Sequence, residues 1–157
     1  MKEIALTQGK VAVVDNEDFA ELNKFKWHAI KMGNAYYAVR SKKAQMILMH
    51  RVILGAVLKQ QIDHRDHNGL NNQRDNIRLC SRAQNGMNRR KQKNTSSQYK
   101  GVCWDKQNKK WVAYIYYQGK GIHLGYFREE KDAARTYDNR AKELFGEFAE
   151  TNFKEFL

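Results

Sequence analysis

Residues 62–79 of this chain read "IDHRDHNGLNNQRDNIRL". This stretch holds three aspartates, two histidines, four asparagines and three arginines between a few apolar residues. "IDH" and "NIRL", at its two ends, mix apolar and polar residues as short half-buried strands do. Ser81 then precedes "RAQNGMNRR", and serine in that place is a typical helix N-cap. The predicted order is therefore strand, long polar loop, strand and helix.

The residue types in and just after this stretch are those that phosphodiester hydrolysis needs. A divalent cation that neutralises phosphate charge prefers carboxylate and amide oxygens, which Asp63 and Asn85 offer. A base must take a proton from water near neutral pH, and histidine titrates in that range. His64 follows Asp63 directly, and Asn76 comes twelve residues after His64. His67 is a competing candidate for the base.

At these positions the sequence resembles the HNH nuclease family, and most closely its phage and intron-encoded homing endonucleases. The matching residues are the pair Asp63-His64, then Asn76 on the second strand, then Asn85 on the helix where many members have histidine. The resemblance implies a ββα-metal site in which His64 is the general base and Asn76 holds the loop or the His64 ring. It also implies that Asp63 and Asn85 bind Mg²⁺ or Mn²⁺. An amide ligand favours these hard cations over zinc.

The geometry of the pair raises one question. Neighbouring side chains on a strand point to opposite faces. Asp63 and His64 can therefore serve one phosphate only if the strand ends or twists there.

Several residues near the motif allow two interpretations. Arg51, Arg74 and Arg78 either contact DNA phosphates or line a solvated face, and we expect phosphate contacts from Arg51 and Arg78. His50 is either a packed histidine or a ligand, and we expect a packed one. Cys80 is expected to be a small buried hydrophobe.

The charge of the chain indicates a polyanionic partner. Its 157 residues include 29 Lys and Arg against 17 Asp and Glu, for a net charge of +12. The excess is densest in residues 61–93, with eight basic and three acidic residues. Such a balance favours nucleic acid. Two distant cysteines argue against a disulfide framework or a cysteine zinc site. We expect no signal peptide, no membrane span and a cytoplasmic location.

Residues 1–49 predict a β-rich region. "IALTQGKVAVVD" reads as two strands around a Gln8-Gly9 turn. "NEDFAELNKF" predicts a short helix with Asn16 as N-cap. "KWHAI" and "AYYAVRS" predict a hairpin closed at residues 32–34, whereas "QMILMHRVILG" is compatible with strand or helix.

Residues 99–146 predict three strands followed by an amphipathic helix. Alternation along "KWVAYIYYQG" sends one set of side chains toward the helix: Trp111, Ala113, Ile115 and Tyr117. We expect an opposite, DNA-facing set of Tyr114, Tyr116, Lys100, Lys106 and Lys120.

Residues 99–153 resemble the AP2/ERF DNA-binding domain, through "GV.W", "W.A.I", "LG.F", "AA..YD", "FGE" and "NF". The resemblance implies a three-stranded sheet that enters the major groove of duplex DNA. The chain has other residues at the positions where plant members often carry their base readers: Cys103, Asp105, Tyr114 and Tyr116. Its base specificity therefore does not follow from the resemblance.

Together these features predict an α+β protein in three parts. Residues 1–90 form a nuclease domain, with the β-rich part at 1–49 and a ββα-metal core at about 50–90. Residues 91–98 form a linker, and 99–157 form a three-stranded antiparallel sheet with one packed helix. We expect a metal-dependent endonuclease that cuts double-stranded DNA, a phage homing enzyme or nickase.

This endonuclease is expected to act as a monomer or homodimer without an obligate protein partner. The alternative is a non-catalytic, sequence-specific DNA-binding regulator. A protein that binds structured RNA is a third possibility, which the charge permits.

Overall fold

The computed structural model describes residues 1–154 and combines short helices with small antiparallel sheets. The chain divides into two compact units, Met1–Asn85 and Gly86–Leu157. This division lies five residues before the predicted end of the nuclease domain at residue 90. Each unit has its own hydrophobic core. Within residues 1–154, no helix is both long and apolar enough to cross a membrane.

The first unit begins with a hairpin of β1 (Lys2–Ala5) and β2 (Val11–Val14), as predicted. Helix α1 (Asn16–Leu22) follows, but its N-cap residue is Asp15 and not the predicted Asn16. Asp15 has extended backbone angles and makes no side-chain cap bond. Its carboxylate instead accepts hydrogen bonds from the Arg74 backbone N–H at 2.7 Å and from Gln73 Nε2 at 3.2 Å. The Asp15 carboxylate therefore binds the distant polar loop and does not cap the N–H groups of α1.

A three-stranded sheet follows in the order β3-β4-β5. Strands β3 (His28–Met32) and β4 (Ala35–Lys42) form the predicted hairpin, with Gly33 at positive φ in the turn. The run "QMILMHRVILG", which was compatible with strand or helix, forms a strand and then a helix. Strand β5 covers Gln45–Leu48 and helix α2 covers Met49–Ile53.

The predicted strand, loop, strand and helix are all present. Strands β6 (Gln61–His64) and β7 (Ile77–Cys80) pair antiparallel, and helix α3 covers Arg82–Met87. Ser81 Oγ accepts a hydrogen bond from the Gln84 N–H at 3.2 Å, and Gln84 Oε1 accepts one from the Ser81 N–H at 2.8 Å. This reciprocal pair is a capping box, which explains where the helix begins.

The polar loop between β6 and β7 is held by the N-terminal elements. The Val13 N–H donates to the Leu70 carbonyl at 2.9 Å, and the Asn72 N–H donates to the Val13 carbonyl at 2.8 Å. The Arg74 guanidinium pairs with Asp18 at 2.7 Å and with Glu17. Arg74, which we considered as a phosphate contact, therefore fastens the loop to α1.

The core of the first unit joins the same elements. Its buried residues are Ile4, Ala12, Val14, Leu22, Trp27, Ala38, Met49, Ile53 and Ile77. Met49 begins α2 and is fully buried, so the helix that carries His50 is anchored next to the polar loop's strands.

The second unit is a three-stranded antiparallel sheet with a helix on one face. The strands β8 (Val102–Asp105), β9 (Lys110–Tyr117) and β10 (Lys120–Phe127) lie in the order β10-β9-β8. Helix α4 (Glu130–Phe145) and a 3₁₀ turn (Gly146–Phe148) follow. The set predicted to face the helix does so, since Trp111, Ala113, Ile115 and Tyr117 pack with residues of α4.

Part of the predicted linker, residues 91–98, belongs to the second unit. Ser97 is buried, and its Oγ donates to Glu130 Oε1 at 2.6 Å. Ser96 Oγ accepts a hydrogen bond from the Trp104 N–H at 2.9 Å. The end of the segment, residues 96–98, is therefore held against β8 and the start of α4.

Candidate active site

Asp63 is held in a buried ion pair. In the pairing of β6 with β7 it lies opposite Arg78. Arg78 donates to Asp63 Oδ2 from Nε at 3.0 Å and from Nη2 at 2.7 Å. The two side chains are only 6% and 9% exposed. The guanidinium that we expected on a DNA phosphate is thus engaged with the carboxylate that we expected on a metal.

Asn85 reaches the strand that carries Asp63. Its Nδ2 donates to Gln61 Oε1 at 3.2 Å. Gln61 and Asp63 are two residues apart on β6, so their side chains share one face of the strand. The predicted metal ligands Asp63 and Asn85 therefore come to the same face, and the Gln61 contact fixes which end of the Asn85 amide is the oxygen.

His64 is the last residue of β6, where the strand ends and the polar loop begins. Asp63 and His64 are both still paired with β7, to Arg78 and Ile77, so whether their side chains serve one phosphate stays a prediction.

The centroid of the His64 ring lies 5.0 Å from that of the His50 ring and 5.8 Å from that of the Tyr37 ring. Both ring pairs have edge-to-face geometry. His50 is therefore a packed histidine, as expected. The turn that follows is closed by the His67 N–H, which donates to the His64 carbonyl at 3.0 Å.

Burial controls the ionisation of both histidines. It lowers the pKa of His64, while the Asn72 side chain and the carboxylates of Asp66 and Asp63 act in the opposite direction. Burial together with the charges of His64 and Arg51 lowers the pKa of His50 to about 3. Both imidazoles are thus neutral at neutral pH.

Asn76 organises the loop. Its Oδ1 accepts a hydrogen bond from the Asp66 N–H at 3.1 Å. Its Nδ2 donates to Asp66 Oδ1 at 3.0 Å and to the Asn71 carbonyl at 2.7 Å. Of the two roles that the resemblance implied, the contacts of Asn76 correspond to holding the loop.

Asn72 is the amide next to His64, and the sequence did not single it out. It is 0% exposed, its N–H donates to Val13, and its Nδ2 donates to the Leu70 carbonyl at 3.1 Å. Because Nδ2 is engaged, the orientation of the amide is set, and Oδ1 is left as a buried acceptor beside the imidazole. Asn72 is one of four asparagines in the stretch, and no local pattern distinguishes it.

The loop packs tightly on β4 at Gly69. A Cβ at this position would lie 2.5 Å from the Tyr36 carbonyl oxygen and 2.6 Å from the Tyr37 ring. Only glycine allows this approach. The same Tyr37 ring contacts His64 and His50, so the loop and the two histidines pack against one side chain.

The oxygen ligands fit a hard cation. Within residues 1–154, no group of three or more His, Cys, Asp or Glu side chains could hold a metal ion. Asp63 and Asn85 provide one carboxylate and one amide oxygen, which suits Mg²⁺ because that ion keeps several waters and takes further oxygens from a phosphate. The same pair is a poor zinc site.

Arg51 is the other residue of the first unit that we predicted to contact DNA. Its guanidinium donates to the carbonyls of Gln60 at 2.8 Å and Val57 at 2.6 Å. It thereby closes the loop between α2 and β6. A contact of Arg51 with phosphate stays a prediction.

In the second unit, the outward face of the sheet is aromatic. Tyr114 and Tyr116 lie on it as expected, and the strand pairing adds His123 and Tyr126, which were not predicted. A bulge between His123 and Gly125 brings Tyr126 to this face, where strict alternation along β10 would not place it. Lys100 and Lys120 do not accompany them. Lys120 shares the alternation of the helix-facing Ile122.

The two other predicted lysines differ in their environment. Lys100 Nζ donates to the Met87 carbonyl at 2.7 Å, and burial lowers its pKa to about 8. Lys106 lies in the exposed turn between β8 and β9, which Asp105 organises by accepting from the Gln107 and Asn108 N–H groups. Of the two, Lys106 is the side chain accessible to a phosphate.

Comparison with known proteins gives a match to nearly the whole chain and several matches that cover about half of it. No protein-family model matches the chain. It is 34% identical over 155 residues to a protein of Acanthamoeba polyphaga mimivirus described as an uncharacterized HNH endonuclease, covering 95% of this chain and 78% of that protein. It is 40% identical over 72 residues to an AP2/ERF and B3 domain-containing transcription repressor of Arabidopsis thaliana, covering 46% of this chain and 20% of the repressor. Protein 3.8 of Escherichia phage T7 is 33% identical over 88 residues, covering 56% of this chain and 72% of the phage protein.

Proposed function

The chain belongs to the HNH endonuclease family, and from that premise we propose that it is a metal-dependent endonuclease that hydrolyses phosphodiester bonds in double-stranded DNA. The observation that supports this proposal most strongly is the grouping of its polar residues. Asn85 of α3 reaches the face of β6 that bears Asp63, and His64 ends the same strand. The net charge of +12 favours DNA as substrate.

His64 is the general base of the proposed reaction. Because burial lowers its pKa, its imidazole is neutral at neutral pH and can accept a proton from water. The water oxygen then forms a bond to phosphorus, the bond from phosphorus to the 3′ oxygen breaks, and the proton stays on His64. Asp66, Asp63 and Asn72 stabilise the resulting imidazolium, since all three raise the pKa of His64.

Asp63 and Asn85 would hold the cation, Mg²⁺ or Mn²⁺. When bound, such a cation neutralises charge on the phosphate and on the departing oxygen. Arg78 orients the Asp63 carboxylate through Oδ2, and Gln61 orients the Asn85 amide through Nδ2. These two contacts prepare the ligands before a substrate arrives, which lowers the cost of assembling the site.

The finer assignment is a phage-type homing endonuclease or nickase that acts in the cytoplasm of the host cell. Each chain contributes one set of catalytic residues, so a monomer cuts one strand. A double-strand break requires a second chain or a second binding event. The resemblance of the second unit to plant DNA-binding domains supports a role for that unit in choosing where the enzyme binds.

The alternative of a non-catalytic DNA-binding regulator has one observation in its favour. The Arabidopsis protein that matches 46% of the chain is described as a transcription repressor. Against it stands the intact set Asp63, His64 and Asn85, because a regulator needs neither a base nor a cation ligand.

A plasmid-relaxation assay separates the two functions. Purified protein is incubated with supercoiled DNA in Mg²⁺, in Mn²⁺ and in EDTA, at low salt. The proposal predicts nicked or linear DNA in the metal reactions alone. Binding of DNA without any cutting, also on mixed phage DNA as substrate, would favour the regulator.

A further inference from the structure

Four ring side chains form a continuous row on the outward face of the second unit's sheet, which we name the aromatic face: Tyr114, Tyr116, His123 and Tyr126. The centroid distances are 5.3 Å from Tyr114 to Tyr116, 6.5 Å from Tyr114 to His123 and 4.8 Å from His123 to Tyr126. Tyr116 is 71% exposed and Tyr126 is 49% exposed. Since α4 packs on the other face, the core does not require these rings.

Glycine at position 121 makes room for the row. A Cβ on Gly121 would lie 2.5 Å from Cε1 and 2.7 Å from Cζ of Tyr114. The Tyr114 ring therefore lies across the backbone of β10, where it forms a shallow platform and does not project away from the sheet. Tyr116 is the direct cross-strand partner of Gly121, so it borders this platform.

Positive charge lies around the aromatic face and not within it. Residues 94–128 contain six Lys and Arg and one Asp. On β9 the outward alternation begins with Lys110, opposite Asp105 of β8, and Arg128 follows directly after β10. A ring-lined centre with a basic border matches a nucleic-acid strand, whose bases are flat and whose backbone is anionic.

The aromatic residues of this face favour single-stranded over double-stranded DNA. Base pairs in a duplex present their edges in the major groove, and long donors such as arginine and asparagine read them. The centre of the aromatic face has none of these. Aromatic rings bind the flat faces of bases, which are accessible only when bases are unpaired.

We propose that the aromatic face binds unpaired bases of single-stranded DNA by stacking on Tyr114, Tyr116, His123 and Tyr126. This proposal rests on the proposed function only in taking DNA as the partner. It does not require that the protein cuts DNA.

Binding is measured in EDTA, so that cleavage plays no part. The full-length chain is titrated into a labelled single-stranded oligonucleotide and, separately, into the blunt duplex of the same sequence, by fluorescence anisotropy. The variants are Tyr116→Leu/Tyr126→Leu and Gly121→Ala. Phe25→Leu removes an exposed ring of the first unit and serves as matched control. Circular dichroism verifies that each variant is folded.

We expect the double variant to lose about tenfold or more in affinity for the single strand, since each stacked base contributes several-fold. Its affinity for the duplex should change less than about twofold, and Phe25→Leu should change neither. Gly121→Ala should weaken single-strand binding in the same direction, because it displaces Tyr114. Unchanged single-strand affinity in the double variant, or an equal loss for duplex and single strand, would overturn the proposal. Failure to cut DNA in the plasmid assay would leave this result unaffected.

Discussion

Arg78 donates two hydrogen bonds, from Nε and Nη2, to a single oxygen of Asp63, at 3.0 and 2.7 Å. Both side chains are buried, so each charge depends on the other. The pair fixes the Asp63 carboxylate through Oδ2. It also links the proposed cation site to the pairing of β6 with β7, in which Asp63 and Arg78 are direct partners.

The first prediction concerns this ion pair. Arg78→Met removes the guanidinium that pairs with the buried Asp63 carboxylate and should lower the free energy of unfolding by about 3–5 kcal/mol. The double variant Asp63→Leu/Arg78→Met should regain most of that loss, because a buried pair can be replaced by apolar residues at little cost. It should still cut no DNA, since the carboxylate is gone. Urea denaturation and the plasmid assay measure the two effects. A single variant as stable as wild type would contradict the buried pairing.

The second prediction concerns the pH dependence of stability. His50 has a pKa of about 3 in the folded chain and about 6.5 when unfolded. The unfolded chain therefore binds more protons below pH 6.5, and the stability present above that pH is lost as the pH falls toward 3. At pH 5 the loss from His50 alone should be about 2 kcal/mol. Burial of His64 acts in the same direction.

Urea denaturation at pH 7 and pH 5 measures this effect, and His50→Gln should reduce the difference between the two. A His50→Gln variant that loses as much stability at pH 5 as wild type would show that His50 is not the group responsible.

The third prediction concerns Asn72. Asn72→Leu removes the amide beside His64 and should slow cleavage by about 10- to 100-fold, the usual effect of losing a positioning group. Asn72→Asp adds a negative charge there, which should raise the pKa of His64 and move the acid limb of the pH–rate profile to higher pH. Asn68→Ala, at an exposed side chain of the same loop, is the control. Cleavage by Asn72→Leu at the wild-type rate would refute this role.

The fourth prediction compares two glycines of the second unit. Gly101 and Gly119 have nearly equal positive φ, 75° and 76°, but a Cβ on Gly101 would overlap the Tyr137 ring, whereas Gly119 has open space. Gly119→Ala should cost about 1–2 kcal/mol of backbone strain. Gly101→Ala should cost a further 1–3 kcal/mol from overpacking. Thermal unfolding measures both, and equal costs would contradict the contact with Tyr137.

Local patterns in the sequence were enough to predict most of the helices and strands. The Ser81 cap and the alternation along β9 depend on neighbouring residues, and both predictions are confirmed. The partners of the charged side chains depend on contacts between distant segments. Arg78 and Asp63 are fifteen residues apart, and Arg74 and Asp18 are fifty-six apart. No local pattern in a single sequence reveals such pairs.

The same reason explains the incorrect cap. Asn16 and Asp15 are both good N-cap residues, and the distant Arg74 N–H and Gln73 side chain determine what the Asp15 carboxylate binds. Asn72 could not be chosen from four asparagines, because its importance comes from burial beside His64. Whether Asp63 and His64 serve one phosphate stays a prediction, because both residues are paired within β6.

The role of His64 is tested most directly by the rate of DNA cleavage by wild type, His64→Ala and His67→Ala in Mg²⁺. The three proteins are compared under single-turnover conditions, at concentrations that bind the DNA equally as judged in EDTA. We predict that His64→Ala is slower by about 10²–10⁴-fold, the range for loss of a general base, and that His67→Ala cuts close to the wild-type rate. Wild-type cleavage by His64→Ala, with activity lost in His67→Ala, would contradict the assignment of His64 as the base.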